Sequence, residues 1–247
     1  MNKIINSVPV NHKTESGSQR AMVAKYAENV KMDGKLSDPA WIKAPEYHFE
    51  LADNAYSKEP ESLRKSLGDT LRENGTAKML WNHRYLYVGA KMEDSDVVAE
   101  GKADQTHLYQ TGDLVEVFLK PANETFYWEI YGAPNNMKTC FFFPGRGRIF
   151  VPSCAEYKSD IIVSASVDGT LNDWRDRDRG WSVEIAIPVE TLTRLGTKFD
   201  NASEWTILLA RYNYSRYLPM KECSSAPRLS APNNHIYEDY ARLILEQ

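Results

Sequence analysis

The chain of 247 residues has only three cysteines, Cys140, Cys154 and Cys223, and no two of them stand at a Cys-x-x-Cys spacing. That argues against a disulfide-stapled scaffold and against a thiolate metal cluster. Buried thiols are the expectation, with one disulfide left open. No run of about 18 apolar residues occurs, so no membrane-spanning helix is expected. Met1 to Pro9 carry no continuous apolar stretch, so no signal peptide is legible. The compartment stays open: cytoplasmic, or secreted or periplasmic for a chain whose signal has been removed. Thirty Lys and Arg are interspersed with 34 Asp and Glu for a formal charge of −4. Without a basic run there is no footprint for nucleic acid, and the charges read as a solvated surface. P-loop, dinucleotide glycine and Gly-x-Ser-x-Gly patterns are absent, which removes nucleotide and serine-nucleophile chemistry.

Aromatic residues, by contrast, are plentiful: 6 Trp, 14 Tyr and 8 Phe within a hydrophobic fraction of 42%. They supply a sizeable core, and the length suits one large β domain, residues 23–247, behind an N-terminal arm, residues 1–22. The dominant hydrophobic period is two. Leu86, Val88, Ala90 and Met92 share one face of a strand; Tyr85, Tyr87 and Lys91 share the other. With residues 77–81 and the turn Asn82-His83-Arg84 they predict a hairpin. Val115, Val117 and Leu119 alternate with Leu114, Glu116 and Phe118. Phe126, Trp128 and Ile130 alternate with Tyr127, Glu129 and Tyr131. Further strands are expected at 26–30, 47–51, 137–143, 161–167, 181–187, 205–214 and 237–245. Pro60 and Gly68 bracket a short helix, and residues 189–195 can make one or two helical turns. Residues 215–235 read as a long loop, a length uncommon without a function. About ten short strands with tight turns predict an all-β, antiparallel β-sandwich of jelly-roll type with few short helices.

Several phrases carry a resemblance. Val30-Lys-Met-Asp33-Gly34-Lys-Leu-Ser-Asp38-Pro39-Ala-Trp41 is followed by Ala77-Lys-Met-Leu-Trp81 and Tyr85-Leu-Tyr-Val-Gly-Ala-Lys-Met92. Then come Gly112-Asp113-Leu-Val-Glu116-Val-Phe-Leu119, Gly180-Trp181-Ser-Val-Glu184-Ile-Ala-Ile-Pro188 and Asn234-His235-Ile-Tyr-Glu238-Asp-Tyr240. In order and spacing, over roughly residues 26–245, they resemble family 9 carbohydrate-binding modules and their wider relatives. The resemblance implies a β-sandwich that binds a mono- or oligosaccharide without cleaving it, in association with glycan degradation and glycoside hydrolases. Such modules hold a sugar between two aromatic rings, with carboxylates and amides on its hydroxyls. Tyr109 is the nearest match to the first aromatic and Glu116 matches the carboxylate. The late loop offers Tyr214 and Tyr217 but no Trp. Where such modules carry a basic residue on the next strand, this chain has Glu129.

The residues read by themselves point to the same face. If the two strands pair, Glu116, Phe118, Tyr127, Glu129 and Tyr131 project away from the obvious core, either as a sugar platform or as a face covered by loops. The candidate ligand-binding residues are Tyr109, Glu116, Glu129, Tyr131, Trp174 and Tyr217, with Trp174 chosen as a Trp in a charged, exposed loop. Trp41 is assigned to the core. Competing readings remain: Glu116 and Glu129 as a glycosidase pair; haem ligation by a Met–His pair from His83, His107, His235, Met79, Met92 and Met137; or a structural domain without ligand. Calcium is a further possibility as a structural ion, with Asp94 and Asp96 the candidate ligands, although no EF-hand spacing occurs.

Overall fold

The computed structural model describes residues 20–146 and 157–247; Cys154 and residues 1–19 of the expected arm lie outside them. Among the described residues twelve strands are present: β1 (Ala21–Tyr26), β2 (Tyr47–His48), β3 (Gly75–Trp81), β4 (Tyr85–Glu93), β5 (Leu114–Pro121) and β6 (Tyr127–Gly132). They continue as β7 (Lys138–Phe143), β8 (Ile162–Asp168), β9 (Gly180–Pro188), β10 (Trp205–Asn213), β11 (Glu222–Ala226) and β12 (Ala241–Glu246). Among the described residues three short helices accompany them: α1 (Ala40–Lys43), α2 (Glu61–Leu67) and α3 (Val189–Thr193).

The strands form one continuous path, β7-β6-β5-β10-β12-β1-β3-β4-β9-β8, with β11 beside β10 and β2 beside β3. The path folds over on itself, so that β5, β6 and β10 face β3, β4 and β9. Between them Val115, Val117, Leu119, Trp128, Ile130, Ile207 and Leu209 meet Met79, Leu86, Val88, Val183, Ile185 and Ile187, all buried. Strict alternation places these residues inside because successive side chains on a strand point to opposite faces. The result is the expected all-β sandwich.

Three local expectations are corrected. The first strand is Ala21–Tyr26, not 26–30, because it lies parallel to β12 from Ala21↔Arg242 to Lys25↔Glu246. At its end Tyr26 pairs in parallel with Trp81 of β3. These are parallel joints in an otherwise antiparallel sheet, and they sit where the path turns over. Within the expected loop 215–235 lies β11, antiparallel to β10 from Leu209↔Ala226 to Asn213↔Glu222. Its sequence, Glu-Cys-Ser-Ser-Ala, has no apolar alternation and so gave no strand signal. Finally, Tyr237–Asp239 form a 3₁₀ turn, and β12 begins only at Ala241.

The Asp33–Trp41 phrase is fastened to β9 by one buried acid. Glu184 Oε2 accepts the backbone N–H groups of Asp33 (2.8 Å) and Gly34 (2.6 Å), and its Oε1 accepts Trp41 Nε1 (2.9 Å). Gly34 adopts φ +75, and a Cβ there would stand 2.6 Å from the Ala165 backbone, so only glycine fits. Trp41 is buried on α1 against Leu80, Tyr87 and Ala186, as a core anchor. Removing the acid leaves three donors without their partner. Glu184→Ala is therefore expected to cost about 3 kcal/mol or more, equivalent to a drop in Tm of about 6–12 °C for a domain of this size. Thermal unfolding of the purified variant measures it, and an unchanged Tm would show that the phrase is not held by this contact.

Candidate functional site

The outward face of β5, β6, β7 and β10 carries the side chains that the interior does not take. Cross-strand register sets them in rows. Tyr131 stands opposite Glu116 and Thr139; Glu129 stands opposite Phe118 and Phe141; Tyr127 stands opposite Phe143. On the other side of β5, Glu116 faces Ala210 and Leu114 faces Tyr212. Ala210 in turn faces Ser225 of β11, so the row beside Glu116 continues through two short side chains. That shortness leaves space, and a cleft of about 650 Å³ opens there, lined among others by Tyr109, Glu116, Glu129, Tyr131, Tyr212 and Asn234.

The face is roofed rather than bare. Residues 228–240 cross over it, and Asn234 Nδ2 donates to Glu116 Oε2 at 2.7 Å. His235 Nδ1 lies 2.8 Å from the Tyr127 hydroxyl, and its ring stands edge-on to Phe118 and Phe143 at 5.5 Å. Arg146 clamps the far end, donating to both oxygens of Glu238 at 2.6 and 2.7 Å while lying 4.2 Å over the Tyr237 ring. At the near end the Asp53 N–H donates to the Leu229 carbonyl at 2.8 Å. Tyr109 comes from a 3₁₀ turn, Leu108–Gln110, just before β5. Its ring lies 5.6 Å from that of Tyr212, and its carbonyl accepts the Tyr214 hydroxyl at 2.5 Å. Asp113 fixes the turn by accepting the N–H groups of Val98 (2.7 Å) and Tyr214 (2.6 Å).

Two carboxylates are thus buried side by side. Tyr131 donates to Glu129 Oε1 from two residues along the same strand. Among the described residues no Lys or Arg pairs with either acid; His235 Nε2, 4.0 Å from Glu129 Oε2, is the one basic group within ion-pair reach. Burial, with Arg146 adding to it, lowers the His235 pKa below the ordinary imidazole value, so at neutral pH this ring is mostly uncharged. Burial pushes Glu129 up to about 7, opposed by the Tyr131 hydrogen bond. Burial and then the neighbouring Glu129 push Glu116 well above the ordinary glutamate value. Tyr131 is raised far above the usual tyrosine range by burial and both acids, which keeps it a neutral donor. Cys223, on the cleft wall, is pushed up to about 11 by burial and is therefore a thiol, not a nucleophilic thiolate. Lys221 at the rim lies over the rings of Tyr212 (4.5 Å) and Tyr214 (5.3 Å).

Of the residues singled out from the sequence, Tyr109, Glu116, Glu129 and Tyr131 line this one cleft. Trp174 and Tyr217 do not. They meet elsewhere, 69% and 41% exposed, with the Arg216 guanidinium 5.8 Å from the Trp174 ring and 4.6 Å from the Tyr217 ring. Asn234, Tyr212 and His235 complete the cleft and were not chosen. Tyr212 was legible from the alternation of β10; Asn234 and His235 arrive by the tertiary path of the roof, which no local pattern reveals.

Asp94 and Asp96 do not fit a calcium ion. The Arg211 guanidinium stands 3.4 Å from Asp94, where a cation would, and Asp96 accepts the Arg216 N–H at 2.9 Å. Burial pushes Asp94 up to about 7, with Arg211 opposing the rise. Among the described residues no three His, Cys, Asp or Glu side chains converge to hold a metal. Of the residues weighed for haem, His107 and His235 line the cleft, but none of Met79, Met92 and Met137 does, so none of the weighed Met–His pairs forms there. Met79 and Met92 are core residues, Met137 is not part of the cleft lining, and His83 lies exposed on the β3–β4 turn. Among the described residues no helix is long and apolar enough to cross a membrane.

Fold and site together define a β-sandwich with a roofed, acid-floored cleft on one outer face. The chain belongs to the carbohydrate family 9 binding domain-like family, whose model matches residues 32–210. The match covers β5, β6 and most of β10 and ends before β11 and the roof. Solved structures share the fold. A putative carbohydrate-binding protein from Bacteroides uniformis superposes with a TM-score of 0.66 at 11% identity, over 92% of this chain and 99% of that one. A family 9 carbohydrate binding module from Caldicellulosiruptor kristjanssonii in complex with cellotriose gives a TM-score of 0.57 at 14% identity, over 92% and 94%. The family 9 module from the same organism in complex with glucose gives 0.56 at 14%, over 92% and 96%. A comparison with curated protein sequences returns no match.

The raised acids tie stability to pH. A carboxylate whose folded pKa is raised holds its proton in the fold after the unfolded chain has lost it. Its contribution is complete below the unfolded value, here 4.5, and declines until pH passes about 7 for Glu129. Glu129→Gln keeps an acceptor for Tyr131 and removes this titration. Denaturant unfolding between pH 4 and 8 is expected to show the wild type losing stability relative to the variant within that window. Parallel curves would mean that Glu129 is not raised by its surroundings.

Proposed function

We propose that the cleft binds a mono- or oligosaccharide without cleaving it. The observation that carries this is the convergence of Glu116, Glu129 and Tyr131 with the rings of Tyr109 and Tyr212 in one cleft of about 650 Å³. Sugar rings present apolar C–H faces that stack on aromatic rings, while buried acceptors bond the hydroxyl pattern. Glu116 and Glu129 accept hydroxyl hydrogens, Asn234 and Tyr131 hold the two acids in place, and Tyr109 and Tyr212 take the ring face. Membership of a carbohydrate-binding family supports the assignment, and relatives described with cellotriose and glucose name the first ligands to try. A neighbouring glycoside hydrolase would be the natural partner of such a module. Trp174 and Tyr217, away from the cleft, are retained as a separate stacking surface for a longer glycan.

Calorimetry of the whole chain against glucose, cellobiose and cellotriose tests binding, and chromogenic glycosides test for cleavage. Tyr109 is half-buried at the mouth, so Tyr109→Ala is expected to weaken binding about 10-fold or more while Tm stays within about 2 °C of wild type. Unchanged affinity would take Tyr109 out of the site. Release of the chromophore would replace binding by hydrolysis, with Glu116 and Glu129 as the acids to mutate next.

A further inference from the structure

The cleft floor has more capacity to accept than to donate. Glu116 uses Oε2 on Asn234, and Glu129 uses Oε1 on Tyr131. Among the described residues no donor reaches Glu116 Oε1, and Glu129 Oε2 has only His235 Nε2 at 4.0 Å, beyond hydrogen-bond distance. Lys221 acts on Glu116 only through its charge, which opposes the rise of that acid. Lys221 stands on the rim against the tyrosine rings and makes no ion pair with either acid. Around the acids stand aromatic faces: Tyr109, Tyr212, Phe118 and Phe141.

A neutral hydroxyl gives such a floor one hydrogen and no charge. An ammonium gives up to three charge-assisted hydrogen bonds. It also compensates the acids and gains from the ring faces. A carboxylate on the ligand would bring no donor to acids that burial already holds toward their neutral form and would repel whichever of them is ionised, and such like-charge contact is an effective means of exclusion. Resting on the glycan-binding reading above, we infer that the cleft selects sugars bearing a free amino group, in the ammonium form, over neutral and acidic sugars of the same size.

Four probes of one ring size decide it: glucosamine, glucose, N-acetylglucosamine and glucuronate, titrated calorimetrically into the intact chain near pH 7. The expected order is glucosamine at least about 10-fold tighter than glucose, N-acetylglucosamine without that gain, and glucuronate weakest. Glu129→Gln and Glu116→Gln should each remove most of the glucosamine advantage, and raising salt should shrink it wherever the acids remain wet. Two variants are used so that one that fails to fold, seen by its thermal transition, leaves the other. Glucose binding with no gain for glucosamine would overturn the inference and leave glycan binding standing. An advantage that survives in a folded Gln variant would overturn it too, by placing the ammonium elsewhere. Absence of binding by all four sugars and by cellotriose would overturn both.

Discussion

The constraint on which the rest depends is the period of two in β5 and β6. Val115, Val117 and Leu119 are needed between the layers, so Glu116 has no choice but the outer face. The same holds for Glu129, fixed between Trp128 and Ile130. Antiparallel register then sets Glu116 opposite Tyr131 and Phe118 opposite Glu129, which brings both acids onto adjacent rows of one face. A slip of one residue would put two carboxylates into the interior of the sandwich, so the hydrophobic core itself enforces the spacing of the site. The geometry of the cleft floor is therefore as rigid as the core beneath it.

What the core does not fix is the roof. β11 and residues 228–240 turn an open sheet face into a cleft. They do so with few apolar residues and many specific ones: Asn234 on Glu116, His235 on Tyr127, Arg146 on Glu238 and Arg228 on Asp53. Two of these contacts, Arg146–Glu238 and Arg228–Asp53, are exposed ion pairs of small individual worth. The roof is thus held by Leu229 and Tyr240, buried in the apolar cluster of this face, together with a set of polar contacts against the floor. Such a division lets the roof change while the core stays. The family match, ending at residue 210, leaves the roof outside it, together with β1, β11 and β12.

This division also explains what was legible in the sequence. Strands with apolar alternation, β3 to β10, could be read directly, as could the face shared by Glu116, Glu129 and Tyr131. The helix between Pro60 and Gly68 followed from its end signals. β11 could not be read, because Glu-Cys-Ser-Ser-Ala owes its extended form to pairing with β10 and not to its own pattern. Nor could β1, whose partner β12 lies more than 200 residues away in sequence. Trp174 stands out in the sequence as a Trp in charged company, and Tyr217 as an aromatic of the late loop where the resemblance implies a second ring. The structure explains that company differently, since Arg216 lies against both rings. Exposure alone did not place them in the cleft, whereas strand register did place Tyr131 there.

Three buried glutamates on this sheet show why one acid reads as structural and two as functional. Burying a carboxylate is costly unless its oxygens are answered. Glu184 is answered fully: two backbone N–H groups and the Trp41 indole donate to it, and it holds a loop that forms part of the fold. Glu116 and Glu129 receive one donor each, and each donor comes from a group that orients the acid and leaves its second oxygen open. Neither free oxygen is closed off as at Glu184, and apolar residues of similar size would have avoided the burial altogether. On the proposed reading, something other than the protein completes the hydrogen bonding of these two neighbouring, half-answered acids. That something must supply donors, fit between aromatic rings and enter below the roof, and a sugar meets all three conditions.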